Sequence, residues 1–302
     1  MGTQIGHVAP GFGFFIIGLW HLINHIKIHA HNPKSYTSSP WFPTSRIKYL
    51  ELYIIMACSF MSISMELFIG PDRHQPFDPD FSIPSNHLHN FEHSNISLSF
   101  FMYAFFSILL DKLAPPAQYG LTNLLGALAF GQQLFLFHLH SSYHMGLEAQ
   151  YHWLLQFAIF TSIVTTLLGI NYPNSFLNSF VRSISITFQG VWLMIMGLIL
   201  WTPSLLPKGC FIHLEEGVKM VRCHGEEALK RARSLVNIQF SWCTIWITFF
   251  GVTCYLVVMK LYTEKIQYQS LSKKFVVQDE DDEDDGDHED DYVEAQKKIV
   301  LN

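Results

Sequence analysis

Histidine is the residue whose placement first indicates chemistry in this sequence. The chain has 16 histidines, and many stand at the ends of long apolar runs together with a few glutamates. Imidazole and carboxylate groups bind transition metals and carry protons. Ionisable side chains at membrane depth are costly and tend to mark function. Several of them at one depth would therefore form a metal or proton site.

Five apolar segments are predicted to bring histidine or glutamate to the same end of a helical bundle. Three or four N and O ligands from different elements suit Zn²⁺, Fe, Mn or Cu. The predicted metal ligands are Glu66, His93, His138, His140 and His152. Weaker candidates at the same end are His7, His89, His144 and Glu148. Gln189, inside the sixth apolar run, is predicted to belong to the polar core.

The spacing of His138 and His140 restricts how they could bind a metal. Residues two apart lie about 200° apart on a regular helix, so both could bind one ion only if the helix ends there. One could instead be a ligand and the other its hydrogen-bond partner. A polar cluster or proton relay without a metal remains an equal alternative. Haem held by two facing histidines, such as His93 and His138, is a weaker alternative.

A second group, His21, His25 and His29, repeats every four residues near the end of the first run. This spacing places all three side chains on one helix face. Two such imidazoles could share a zinc ion. No carboxylate lies in the stripe, which favours an interfacial stripe that bonds to headgroups and loops.

The composition identifies the elements that must position these groups. Hydrophobic residues make up 49% of the chain and charged residues 15%, well below the charge content of about 25% in soluble proteins. Runs of about 20 apolar residues cross a bilayer as helices. We predict an all-α, polytopic membrane protein, a seven-transmembrane helical bundle that forms one domain over residues 1–262. The predicted spans are 8–28, 47–69, 95–113, 120–140, 151–170, 181–201 and 237–260.

The C-terminal tail, residues 263–302, is predicted to be acidic and disordered, because its charge run cannot bury a core. Lys and Arg in the loops favour an outer or lumenal N-terminus and a cytosolic C-terminus. The loop between spans 6 and 7 is basic and disagrees with this orientation. Cys210 and Cys223 lie in that loop and could pair if it is lumenal.

Short motifs in a fixed order resemble those of the transmembrane protein 45 family, the domain-of-unknown-function 716 group, whose plant members are often labelled viral-response proteins. The motifs are GHVAPGFGFFIIGLW, ISMELF, FEHS, FLFHLH and FQGVWLMIMGLIL. The resemblance implies a multi-pass membrane protein of the endomembrane system or plasma membrane, and brings no established reaction. The family's recurring polar positions correspond to His7, Glu66, His93, His138, His140, His152 and Gln189.

Three functions remain open at this point. The first is a membrane protein that binds zinc or another transition metal, extending to a metal-dependent enzyme on a lipidic substrate, with seven-span zinc hydrolases as the mechanistic analogy. The second is a transporter or proton-coupled carrier, and the third is a non-catalytic scaffold in stress or viral response. The expected partners are membrane lipids, a basic cytosolic protein for the tail and a second copy of the chain. The absence of a Lys/Arg stripe excludes nucleic acid.

Overall fold

The computed structural model describes residues 3–70, 75–143, 146–215 and 218–281. Within them it has seven helices long and apolar enough to cross a membrane, which confirms the predicted all-α polytopic fold. The helices are α1 (Gln4–His31), α2 (Leu50–Ser64), α3 (Leu88–Leu113), α4 (Pro115–Tyr143), α5 (Leu147–Asn171), α6 (Phe176–Trp201) and α7 (Gly225–Asp281). A π-helical turn, Met65–Ile69, continues α2.

The helix ends differ from the predicted spans where polar residues continue an apolar helix. α3 begins at Leu88 rather than near 95, because its first two turns are polar but contain no helix breaker. α7 runs from Gly225 to Asp281, since neither glycine nor proline interrupts residues 252–281. The chain is therefore helical over 263–281, where the composition predicted disorder. Residues 282–302, most of the acidic tail, lie outside the described residues.

Small residues hold α1 against α6. A methyl group on Gly18 would overlap the backbone of Thr187, and one on Gly190 would overlap the backbone of Phe15 and Gly11. Close backbone approach at small residues is the usual way in which membrane helices associate. α1, the first helix, thus packs along α6 and fixes the position of the histidines at both of its ends.

The other helices pack mainly as neighbours in sequence, α2 with α3, α3 with α4, α4 with α5 and α5 with α6. The largest buried side chains include Trp192 of α6 and Tyr151 of α5. The Trp192 Nε1–H donates a hydrogen bond to the Tyr151 carbonyl oxygen at 3.0 Å. This core lies one turn or less from the polar residues at the start of α5.

Between α6 and α7 the chain forms a two-stranded antiparallel hairpin, β1 (Cys210–Glu215) and β2 (Val218–Cys223). Cys210 faces Cys223 in the register, and the two form a disulfide. The sequence indicated this pairing only on the condition that the loop is lumenal. The described chain divides into two compact units at residue 258, and residues 259–281 of the second are helical.

Candidate metal centre

Three ligand atoms, from His7, Glu148 and His152, lie within 4.8 Å of one another. His7 comes from α1. Glu148 and His152 are one turn apart at the start of α5, a spacing that puts both side chains on one face of that helix. Two histidines and one carboxylate are a donor set that catalytic zinc sites use, with a fourth position left for water.

The helix cap at Thr3 fixes which nitrogen of His7 is available. The Thr3 hydroxyl accepts a hydrogen bond from the Gly6 N–H at 3.0 Å, so that α1 begins there. One turn later, the His7 Nδ1 atom lies 2.9 Å from the Thr3 carbonyl oxygen. A carbonyl only accepts, so Nδ1 carries the hydrogen and the Nε2 lone pair of neutral His7 faces away from the cap.

The His7 Nε2 atom lies 3.4 Å from the Nε2 atom of His152. Two ligands held by a tetrahedral Zn²⁺ at about 2.1 Å lie about 3.4 Å from each other. The two imidazoles therefore have the separation that one shared zinc ion requires. A histidine that binds a metal through one ring nitrogen usually donates a hydrogen bond from the other nitrogen to a carbonyl or carboxylate oxygen. His7 has this arrangement, because its Nδ1 atom bonds the Thr3 carbonyl oxygen.

Aromatic side chains hold both imidazole rings. The centroid of His7 lies 4.8 Å from that of Trp201, and His152 stacks on Phe137 at 5.2 Å. His7 is 4% exposed and His152 is 1% exposed. The rings are thus immobilised in an apolar setting, which strengthens electrostatic interactions with a bound cation.

Glu148 offers an oxygen that lacks a protein donor. Its Oε1 atom is buried and has no hydrogen-bond partner among the residues described. It lies in the first turn of α5, where the helix dipole favours a negative charge. Gly146 precedes the helix with φ 152°, a conformation that favours glycine. The turn therefore places a carboxylate beside the two histidines.

A second His–Glu pair lies close to these three residues. The His93 Nδ1 atom is 3.2 Å from the Glu66 Oε1 atom, and the Asn90 side-chain amide donates to Glu66 Oε2 at 2.9 Å. A side chain added at Gly6 would come within 3.9 Å of Glu66 Oε1, which places this carboxylate beside the first turn of α1. His93 also interacts electrostatically with His7 and Glu148.

The other residues that the sequence predicted for the site do not belong to the group of His7, Glu148 and His152. His138 is exposed, and its Nδ1 atom lies 3.1 Å from the side-chain oxygen of Gln156. His89 lies one turn from His93, with ring centroids 6.3 Å apart. Gln189 is buried and donates to the Ser162 hydroxyl at 2.8 Å. The side chain of His140 and the whole of His144 lie outside the described residues.

Two of the three histidines at the far end of α1 are buried in the bundle, where the sequence favoured an interfacial stripe. His21 is 5% exposed and His25 is 0% exposed, because α2, α6 and the chain after α1 cover them. His21 pairs with Glu51 at 2.7 Å. His25 lies 3.2 Å from the guanidinium of Arg182. A carboxylate is therefore present after all, but it comes from the start of α2.

Glu51 and Arg182 are the buried charged residues that sequence reasoning missed. Arg182 is the only charged residue in the sixth predicted span, 181–201, and a charge inside a membrane span indicates a functional or structural role. That signal could have identified Arg182. Glu51 stands at the first turn of α2, where the sequence does not distinguish it from a solvated residue.

Part of the chain matches a known protein family. Residues 119–256 match the model of the family of unknown function DUF716. The chain carries a DUF716 domain. This domain extends from α4 into α7 and contains Glu148 and His152 of the candidate centre, whereas His7 lies outside the matched residues. The match confirms the family resemblance found in the sequence.

Proposed function

We propose that this DUF716 protein binds a divalent transition metal, with zinc as the leading choice, through His7, Glu148 and His152. The 3.4 Å separation of the His7 and His152 Nε2 atoms carries the proposal. The orientation of His7 by the Thr3 carbonyl oxygen supports it. So does the buried Oε1 atom of Glu148, which has no donor among the described residues.

A centre of this kind supports hydrolysis of a lipidic substrate. Three protein ligands leave a position for water, and zinc lowers the pKa of a bound water to about 7. The Glu66–His93 pair stands beside the three ligands and would accept the proton of that water, with Glu66 orienting the imidazole. The site lies at an end of the bundle, where lipid headgroups are found.

We further propose that this end of the bundle faces the lumen or the outside. A side chain added at Gly146, ahead of α5, would lie 3.7 Å from the Val221 carbonyl oxygen, so the disulfide hairpin is at the same end as Glu148. Disulfides persist in oxidising compartments. A glycosylation acceptor fused ahead of residue 1 through a polar linker should therefore be modified in microsomes.

Elemental analysis of the detergent-purified protein tests the metal proposal. After zinc loading and gel filtration, we expect about one zinc per chain in the wild type. His138→Ala should bind the same amount, because His138 is exposed and is not one of the three proposed ligands. His7→Ala and His152→Ala should lose the metal while eluting as folded protein. Stoichiometric zinc in both ligand variants would overturn the proposal.

A carrier is the second candidate, and the polar interior of α5 and α6 favours it. The hydroxyls of Ser162 and Ser185 share a hydrogen bond at 2.7 Å, and Ser162 accepts from Gln189. The Gln189 Oε1 atom is buried without a partner among the described residues. Carrier sites lie near the bilayer midplane. Zinc uptake into proteoliposomes that is lost in Gln189→Leu would favour this function over hydrolysis.

A further inference from the structure

After a short 3₁₀ turn, Pro33–Ser35, the chain that follows α1 enters the bundle as non-helical backbone. In residues 36–42, called here the re-entrant segment, Tyr36 is 3% exposed, Trp41 is 4% exposed and Phe42 is 6% exposed. Thr37, between buried neighbours, is exposed. A connection between two spans would ordinarily lie in water, so this degree of burial is unusual.

The depth of the segment follows from its aromatic contacts. The Phe42 ring lies 5.2 Å from the His21 ring and 4.8 Å from the His25 ring. His25 is six residues before the end of α1 at His31, about 9 Å at the rise of an α-helix. Arg182 is six residues inside α6, again about 9 Å. The segment therefore reaches well inside the ends of α1 and α6.

Side chains of the bundle form hydrogen bonds with backbone groups of the segment. The Phe42 N–H donates to Glu51 Oε2 at 2.9 Å. Arg182 donates to the Ser39 carbonyl oxygen at 3.1 Å, and the Tyr103 hydroxyl donates to the Pro40 carbonyl oxygen at 3.1 Å. Non-helical backbone at membrane depth requires such partners. The segment is thus held by polar groups that come from three helices.

The contact between His25 and Arg182 fixes the protonation state of His25. A guanidinium only donates, so the His25 Nε2 atom, 3.2 Å from Arg182 Nη2, must be an acceptor. The hydrogen of neutral His25 is then on Nδ1, which donates to the Tyr36 hydroxyl oxygen at 2.8 Å. Burial raises the pKa of Tyr36 to about 12, so its phenol stays neutral.

Proton binding to His25 is therefore incompatible with this arrangement. A second hydrogen, on Nε2, would point at the guanidinium and place two positive charges in contact. The other titratable groups near this site come from the surrounding elements: His21 on α1, Glu51 on α2, Tyr103 on α3 and Tyr119 on α4. The Glu51 carboxylate accepts hydrogen bonds from His21, from the Phe42 N–H and from the Trp20 Nε1–H.

We propose that the re-entrant segment is a gate, closed in this structure, and that it opens when His25 takes up a proton. The gate lies at the opposite end of α1 from His7 and does not depend on the metal centre. Opening would uncover Arg182 and Glu51 to the aqueous phase on that side. Because the closed state excludes the proton, acid shifts the population toward the open state.

The size of the shift follows from the pKa of an exposed histidine, about 6.5. Because only the open state binds the proton, acid multiplies the ratio of open to closed molecules by a factor. This factor is one plus the ratio of protonated to neutral His25 in the open state. Between pH 7.5 and pH 5.5 this factor rises about tenfold. A variant that keeps an acceptor for Arg182 but cannot be protonated should lose the effect.

Thiol labelling of the full-length protein in nanodiscs tests the gate. Ser38→Cys, at a buried position, is labelled by a polar maleimide in a background with Cys58, Cys243 and Cys254 replaced by serine. Thr37→Cys, at the exposed neighbouring position, is the control for intrinsic thiol reactivity at each pH. The Cys210–Cys223 disulfide stays oxidised throughout.

We expect the ratio of Ser38→Cys to Thr37→Cys labelling to rise about tenfold from pH 7.5 to pH 5.5. With His25→Gln added, the ratio should stay low at both pH values. With Arg182→Met added, it should be high at both. A wild-type ratio that does not change with pH, or an equal rise in His25→Gln, would overturn proton coupling. Low labelling in Arg182→Met would overturn the gate itself.

Discussion

The Nε2 atoms of His7 and His152, 145 residues apart in the sequence, face each other at 3.4 Å inside the helical bundle. The contact joins the first helix to the fifth. It exists because α1 packs along α6 through glycines, which brings the first turns of α1 next to the start of α5. A cation between the two nitrogens would turn this contact into two coordinate bonds.

Replacing Glu148 with glutamine should weaken zinc binding without disturbing the fold. The amide keeps the shape of the side chain but removes the charge that balances the ion. We expect zinc affinity to fall at least about tenfold, measured by competition with a chromophoric chelator. Glu227→Gln, an exposed position in the first turn of α7, should bind zinc as the wild type does. Equal affinities for both variants would contradict the assignment of Glu148 as a ligand.

Removing the cap hydroxyl at Thr3 should loosen the start of α1. Thr3→Ala loses the acceptor for the Gly6 N–H, and such losses cost about 1 kcal/mol. Because His7 bonds the carbonyl of the same residue, metal affinity should fall together with thermal stability. Thr3→Ser keeps a hydroxyl and should restore both. Failure of serine to restore them would show that the cap does not position His7.

Enlarging a glycine at the contact between α1 and α6 should destabilise the protein. A methyl group on Gly18 would overlap Thr187, whereas one on Gly13 meets no atom within 4 Å among the described residues. Overpacking typically costs about 1–3 kcal/mol. We expect Gly18→Ala to lower the melting temperature in detergent and Gly13→Ala to leave it nearly unchanged. The opposite ranking would contradict the observed packing.

Neutralising Glu51 should destabilise the end of the bundle that holds the re-entrant segment. Its carboxylate accepts from His21, Trp20 and Phe42, and leaving buried hydrogen-bonding groups unsatisfied costs about 1–3 kcal/mol. We expect Glu51→Gln to lower the melting temperature substantially. Asp80→Asn, on an exposed turn, is the matched control and should change it little. Equal effects would show that Glu51 is not paired as described.

Hydropathy was sufficient to predict the seven spans, because helix length and apolar composition are local properties of the sequence. The candidate site was predicted only in outline. The position of His152 near the end of its predicted span placed it among the predicted metal ligands. That position does not show which way a side chain faces. His138 therefore ranked above His7, although His138 is exposed and His7 is buried.

Two other features required the tertiary structure. The pairing of α1 with α6 decides that His7 meets His152, and no local pattern encodes which helices are neighbours. The re-entrant segment is stabilised by side chains that are distant in sequence, such as Arg182 and Tyr103. The hydropathy pattern predicted only a connection between the first two spans there.

X-ray absorption at the zinc edge of the zinc-loaded protein tests the central claim most directly. The proposed centre predicts four light N or O neighbours at about 2.0–2.1 Å, with the outer-shell scattering of two imidazoles. In His7→Ala the imidazole contribution should fall by half or the zinc should be lost. A spectrum of six oxygens without imidazole, or one unchanged in His7→Ala and His152→Ala, would contradict a metal centre at these residues.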